Sequence, residues 1–214
     1  DGSPSPSYQW QQLVNNSWAD IQGANSQSFS IPDDQSLVGS SLRLHLTSTD
    51  SFGGQTSFFS DPLTVANVND APQHSISING QTIEGSTLSV DLSSLTDQDG
   101  IPLSGQNAPS IQWLRNNSPI SGATSPSYTL AQQDVDSQIS VNISYTDNYG
   151  TQELISLATQ SNVQNIDNPA TAQLSISGTP QEGNTLTASI LNLTDTDGSP
   201  SPSYQWQQLV NNSW

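Results

Sequence analysis

Two loops, Asp97-Gln98-Asp99-Gly100 and Asp195-Thr196-Asp197-Gly198, each set two carboxylates two residues apart before a glycine. Hard cations such as calcium favour this chemistry, because short carboxylates can converge on one ion from adjacent loops. The rest of the composition points the same way. Of 19 acidic residues only Glu84, Glu153 and Glu182 are glutamate, so sixteen are aspartate, and they face two basic residues, Arg43 and Arg115, for a formal net charge of −17. A surface so poor in Lys and Arg cannot neutralise phosphates, which excludes nucleic acid and anionic membrane as partners. There is no Cys, so a thiolate metal site and disulfides are excluded and stability must come from packing or metal. His45 and His74 are the only histidines, one on an alternating strand and one at a domain entry. With no Lys, no Cys and no paired-carboxylate motif in a cleft, no enzymatic function is expected. Trp18 could stack on a sugar, although packing over the neighbouring strand is the plainer reading.

The elements that must position these acids follow from a repeat. The stretch DGSPSPSYQWQQLVNNSW occupies residues 1–18 and recurs without mismatch at residues 197–214. That spacing is twice a small all-β domain, so the repeating unit is expected to be a pair of related domains. Alternating apolar segments, expected as strands, fall at 7–10, 28–31, 42–46, 56–59 and 63–68, then at 75–78, 87–92, 110–114, 127–130, 139–145, 154–158 and 163–166, with a short piece at 120–123. The order restarts with 174–176, 185–193 and 203–206. Glu84-Gly85-Ser86-Thr87-Leu88 matches Glu182-Gly183-Asn184-Thr185-Leu186, Trp113 matches Trp10 and Trp206, and Thr146-Asp147 matches Thr49-Asp50. About seven short strands per roughly 98 residues, with turn signals between them and no helical period, argue for an all-β fold of tandem immunoglobulin-like antiparallel β-sandwiches. The expected segments are 1–69, the C-terminal part of a split domain; 70–169, a complete domain; and 170–214, the N-terminal part of the next split domain. Both 18-residue copies begin inside a domain, so the chain reads as a window on a tandem array. In a continuous array the two copies should share one strand environment, and any export or anchoring signal would lie outside this window.

In a sandwich of this order the acids gather at both poles, next to linkers that themselves carry Asn or Asp. At the first linker, Asn67, Asn69 and Asp70 are expected to meet Asp97, Asp99 and Asp147, with Asp33 or Asp34 from the preceding domain. At the second, Glu84, Asp134 and Asp136 meet Asn165 and Asp167, then Asp195 and Asp197, with a residue equivalent to Asp50; Glu182 repeats Glu84 in the next domain. About six to eight oxygens can be assembled at each linker, which is calcium's preferred number. Asp and Asp-Gly also simply make turns. Turn chemistry alone leaves the concentration of acid at both poles, with almost no counter-charge, without a reason.

The linker Asn67-Val68-Asn69-Asp70-Ala71-Pro72, the Asp-x-Asp-Gly loop, the Glu-Gly-x-Thr-Leu turn and the run Tyr145-Thr146-Asp147-Asn148-Tyr149-Gly150 resemble the tandem Ig-like, cadherin-like extender repeats of large bacterial RTX-type adhesins. The resemblance covers the whole chain. It implies calcium at the domain junctions and a role as an extender on the bacterial cell surface, in contact with neighbouring identical repeats and projecting a ligand-binding region that lies outside this segment. The second linker departs from the pattern, reading Asn165-Ile166-Asp167-Asn168-Pro169. Two alternatives stand beside the extender: a glycan- or protein-binding module, and a surface-layer or filament subunit.

Overall fold

A computed structural model describes residues 5–211, 213 and 214; the start of the first expected segment, residues 1–4, and Asn212 of the second 18-residue copy lie outside the described residues. The regular elements are β1 (Ser5–Val14), β2 (Ser17–Asp20), β3 (Ser41–Thr49), β4 (Gln55–Phe59), β5 (Leu63–Thr64), β6 (Thr87–Ser89), β7 (Ser110–Arg115), β8 (Ser118–Pro119), β9 (Ser127–Thr129), β10 (Ile139–Thr146), β11 (Gln152–Ala158), β12 (Thr171–Ser177) and β13 (Thr187–Thr194), with one 3-10 turn at Gln132–Asp134. The fold is all-β with antiparallel sheets. One sheet runs β2-β1-β3-β4 with β5 also on β3, a second runs β11-β10-β7-β8, and β12-β13 and β6-β9 form two-stranded sheets. By proximity the chain divides into two compact units. The first holds the residues up to Ser75 with Leu92–Ser110 and Ser144–Leu154; the second holds Ile76–Asp91, Ile111–Ile143 and Ile155–Trp214.

Local chemistry explains the clearest elements. Along β10, Ile139, Val141, Ile143 and Tyr145 are buried while the Ser, Asn and Thr between them are only partly so, the period of two that puts one strand face into a core. In the second unit Leu88, Trp113, Leu130, Ile139, Val141 and Ile143 form that core, and Trp113 Nε1 donates to Ser125 O at 2.9 Å. The β1–β2 and β7–β8 hairpins turn on Asn15-Asn16 and Asn116-Asn117, all four at positive φ (49°, 61°, 46° and 65°). Asn tolerates that region and its twist matches paired strands, so these turns are written locally.

Several expected strands are absent, for a common reason. Residues 28–31, 75–78 and 203–206 are extended or irregular without a ladder, and 163–166 makes only isolated bridges at Val163 and Gln164. Nor do the two copies of the 18-residue stretch share one strand environment, contrary to what is expected of a continuous array. Tyr8 and Trp10 lie in β1, paired with Leu46 and Leu44 of β3, whereas Tyr204 and Trp206 lie in no strand and are exposed. A strand exists through its partners, and the second copy has no β3 beside it. What survives in that copy is its turn, where Val210 bridges Ser213 as Val14 pairs with Ser17.

Candidate functional site

Asp99 is the hub of the acid cluster in the first unit. It is fully buried, its Oδ2 accepts the backbone N–H of Asp70 at 2.7 Å, and its Oδ1 accepts Gln35 Nε2 at 2.8 Å. Gln35 Nε2 also reaches Asp70 Oδ2 at 3.3 Å, so one amide nitrogen lies between a linker carboxylate and a loop carboxylate. The Asp-x-Asp-Gly loop holds itself in shape. Asp97 Oδ1 accepts the N–H of Asp99 at 2.8 Å, and Gly100, at φ +85°, closes the turn by donating to Asp97 O at 3.1 Å. Asp97 Oδ2 accepts the Tyr145 hydroxyl; burial, then that hydrogen bond and the Asp97 charge, push the phenol well above its ordinary range. Asp147 is also buried, and its Oδ1 caps the following turn by accepting Tyr149 and Thr151 N–H groups at 2.8 Å each. Three side-chain oxygens here are buried with no donor: Gln35 Oε1, Asn67 Oδ1 and Asp147 Oδ2. Asn69 turns instead to Glu153, donating to Oε1 at 2.9 Å.

The second unit repeats the arrangement with changed letters. The N–H of Asn168 donates to Asp197 Oδ2 at 2.5 Å, and Asp195 Oδ1 accepts Asp197 N–H at 2.9 Å. Asn168 therefore stands where Asp70 stands, and Asp167 where Asn69 does. That backbone bond, with the Asn168 and Asn165 side chains, holds Asp197 below the usual carboxylate range. Gln132, turned so that its nitrogen faces the acids around it, donates to both Glu84 oxygens at 3.1 Å and to Asp197 Oδ1 at 2.9 Å. Gln35 thus bridges the linker carboxylate of Asp70 and the loop carboxylate of Asp99, and Gln132, in the turned orientation, bridges the first-turn carboxylate of Glu84 and the loop carboxylate of Asp197. Neither glutamine is singled out by the sequence reading. The available signal is their shared spacing, three residues before Val38 and Val135, which a reading confined to acids passes over.

The other expected residues divide into turn-makers and exposed acids. Asp134 is fully buried and committed: Oδ1 pairs with Arg115 NH2 at 2.6 Å, and Oδ2 accepts the Tyr128 hydroxyl and the Ala131 N–H at 2.8 Å each. Burial and the adjacent Asp134 carboxylate raise the Tyr128 phenol; burial pulls Arg115 down, but Asp134 and Tyr128 together more than offset it. No lone pair of Asp134 faces a linker acid in these contacts. Asp50 caps its turn as Asp147 does, with Phe52 and Gly54 N–H groups at 2.9 and 2.8 Å. Asp34 accepts the Ser36 N–H at 2.8 Å, and Ser36 holds its carboxyl below the ordinary value. Asp33, Asp136 and Glu182 are exposed, and Asp136 sits at φ 61° in a turn. Among the described residues no three His, Cys, Asp or Glu side chains converge as a ready-made metal group. One face of Trp18 is occupied by Arg43, whose guanidinium carbon lies 4.3 Å from the ring centroid, and His45 stacks on Phe59 with centroids 4.6 Å apart. No described helix is long and apolar enough to cross a membrane. Compared with protein-family models and with curated proteins, the sequence finds no match.

Proposed function

We propose that the chain is a run of tandem immunoglobulin-like sandwiches of about 98 residues each, a spacer stiffened by calcium at its linkers that holds a distal ligand-binding region of an adhesin away from a bacterial cell surface. The observation that carries this reading is the trio of buried oxygens without donors, Gln35 Oε1, Asn67 Oδ1 and Asp147 Oδ2, in the same unit as Asp70, Asp97 and Asp99. A buried oxygen without a donor loses its hydration for nothing, and a bound cation is one of the few ways to recover that cost. With its amide turned over, Gln35 would offer Oε1 to the same point at which Nε2 now joins Asp70 and Asp99. Asp70, Asp99, Asp147, Asn67 and Gln35 would then hold calcium at the first linker, and Glu84, Asn165, Asp195 and Asp197 at the second. The chemistry supplied is electrostatic: the cation converts mutual repulsion among carboxylates into shared coordination, and so limits how far the linker can bend.

A second reading rests on the bridges themselves. The Gln35 and Gln132 nitrogens already place partial positive charge between paired carboxylates, which closes each linker by hydrogen bonds and needs no metal. Calorimetric titration of the chelator-stripped chain separates the two. Calcium should bind with release of heat or protons, magnesium much more weakly, and Asp99→Asn should remove the first site. No calcium binding up to ~10 mM, the weak limit of extracellular sites multiplied by ten, leaves the glutamine-closed spacer.

A further inference from the structure

Arg43 is the one Lys or Arg of the first unit, in a chain with 19 acidic residues, yet among the described residues no carboxylate pairs with it. Arg115, by contrast, is closed by Asp134. Rings and an amide hold Arg43 instead. Its guanidinium carbon lies 4.3 Å from the Trp18 ring centroid and 4.2 Å from that of Phe59, and His45 stacks on Phe59 with centroids 4.6 Å apart. Nε donates to Gln11 Oε1 at 2.8 Å, and Gln11, itself buried, donates to Asp20 Oδ1 at 2.7 Å, so the Asp20 carboxylate reaches Arg43 only through an amide. A guanidinium fixed in this way keeps its two terminal nitrogens for another acceptor, and none of the described residues supplies one.

This row stands on one side of its sheet. Leu13 pairs with Trp18, Gln11 with Arg43 and His45 with Phe59, and paired residues project to the same side while their neighbours along the strand project to the other. Leu42, Leu44 and Leu46 therefore face away from it. The matching face of the second unit is built without any of these groups. Aligned on Thr49-Asp50 and Thr146-Asp147, Arg43, His45 and Phe59 correspond to Ser140, Asn142 and Ser156, and Ser156 Oγ simply donates to Asn142 Oδ1 at 2.8 Å. Trp18 comes from a longer hairpin, with four residue pairs in β1–β2 against two in β7–β8. Since β10 still buries its whole apolar face, such a sheet folds without a cation or rings on this side.

We propose that Arg43 anchors a binding site on this face for a saccharide bearing a single carboxylate, a sugar acid of the uronate kind. The terminal nitrogens of the guanidinium take the carboxylate side by side, the geometry in which Arg binds carboxylates best. The sugar body lies across Phe59, which is 53% exposed, towards His45 and Ser57, whose Nε2 and Oγ are 3.1 Å apart. Charge selects the class of ligand. A chain of net charge −17 repels a ligand more strongly the more negative charge it carries, which favours one carboxylate on a neutral body over an acidic peptide or a polyanion. A peptide also finds no free strand edge here, because β3 is paired by β1 on one side and by β4 and β5 on the other. The site needs no calcium, and its failure would leave the spacer reading untouched.

Titration of the full chain with glucuronate, followed by nitrogen-resolved NMR in chelator, tests it. The chain has two arginines and so two Nε–H signals, and the one that vanishes in Arg43→Lys belongs to Arg43. That signal should move and saturate with a midpoint of about 1–10 mM, the range open to a ligand of this size with one charged anchor, while the Arg115 signal stays in place. Glucose, without the carboxylate, should leave both signals where they are, and acetyl-alanine, a peptide-like carboxylate without the sugar, should bind at least about 10-fold more weakly. Arg43→Lys keeps the charge but loses the fork and should weaken glucuronate binding about 10-fold, read from the backbone signals of β1 and β3. The unaltered chain decides the matter even if that variant folds poorly. No movement of the Arg43 signal up to ~100 mM glucuronate, equal movement of both arginine signals, glucose or acetyl-alanine binding as tightly as glucuronate, or a folded Arg43→Lys variant that binds undiminished would each overturn the proposal.

Discussion

Replacing Asp134 by Ala removes a carboxylate that joins three elements at once. Its Oδ1 pairs with Arg115 at 2.6 Å, and its Oδ2 serves the Tyr128 hydroxyl and the Ala131 N–H. Breaking a buried ion pair by deleting one partner costs about 3–5 kcal/mol, mostly through the charge left behind. Arg115 is 26% exposed, so water recovers part of its hydration and the guanidinium contributes the smaller share. The stranded hydroxyl and N–H add about 1–3 kcal/mol each, not additively, which returns the total to about 3–5 kcal/mol. The first unit supplies the control. Gln12 follows Trp10 by two residues as Arg115 follows Trp113, and Leu37 precedes Gly39 by two as Asp134 precedes Asp136, with Gly39 and Asp136 donating to Val65 O and Val163 O. Leu37 is buried there and no ion pair is needed. The double variant Arg115→Gln/Asp134→Leu should therefore recover at least half of the loss, a coupling of about 1–3 kcal/mol. Urea denaturation reads both through the midpoint at constant slope. A loss under about 1 kcal/mol for Asp134→Ala, a double variant as unstable as the sum of its singles, or a loss that disappears in chelator would refute the assignment of this carboxylate to the core.

Two further outcomes follow from particular atoms. Gly80→Ala should cost about 2–3 kcal/mol or more in the same denaturation experiment, because its φ is +121° and a Cβ would lie 2.4 Å from Thr87 O; Gly122→Ala, at φ +74° with nothing within 4 Å, should cost only about 1–2 kcal/mol, and equal losses would contradict the crowding argument. Asp197 has its folded pKa lowered below 3.8 by the Asn168 N–H, so whatever stability it confers is fully present above the unfolded value and is lost as pH falls through the lowered one. The Asn168 amide resonance should accordingly titrate with a midpoint below 3.8, and a midpoint at or above it would remove this bond from the account.

What could be foreseen from the residues was mostly local. The alternation of β10 and the self-bonded Asp-x-Asp-Gly loops depend on neighbours a few positions away, as do the Asn-Asn turns, which the expectations did not name. The ladders depend on distant partners, and the sequence carries no mark of whether a partner is present. Residues 7–10 and 203–206 make the point with identical letters, one in β1 and one in no strand. The candidate site divides in the same way. Asp70 and Asp99 were expected together and do meet, through a backbone N–H. Asp134 reads as one more acid in an acid-rich pole, yet Arg115, 19 residues earlier, and Tyr128, six residues earlier, turn it inward. The glutamine bridges were not foreseen, since an amide among carboxylates carries no charge to attract notice.

The central claim is that calcium stiffens the linkers, and thermal melting combined with small-angle scattering of the same sample tests it most directly. A cation bound only by the folded, aligned form stabilises it by about 2.7 kcal/mol at a hundredfold excess over its dissociation constant. In millimolar calcium the melting temperature should therefore rise and the maximum dimension lengthen relative to chelator, measured at a concentration and salt where the chain is monomeric. Asp99→Asn should blunt both changes while the fold persists. A melting temperature and a scattering profile that are the same in calcium and in chelator would contradict the claim.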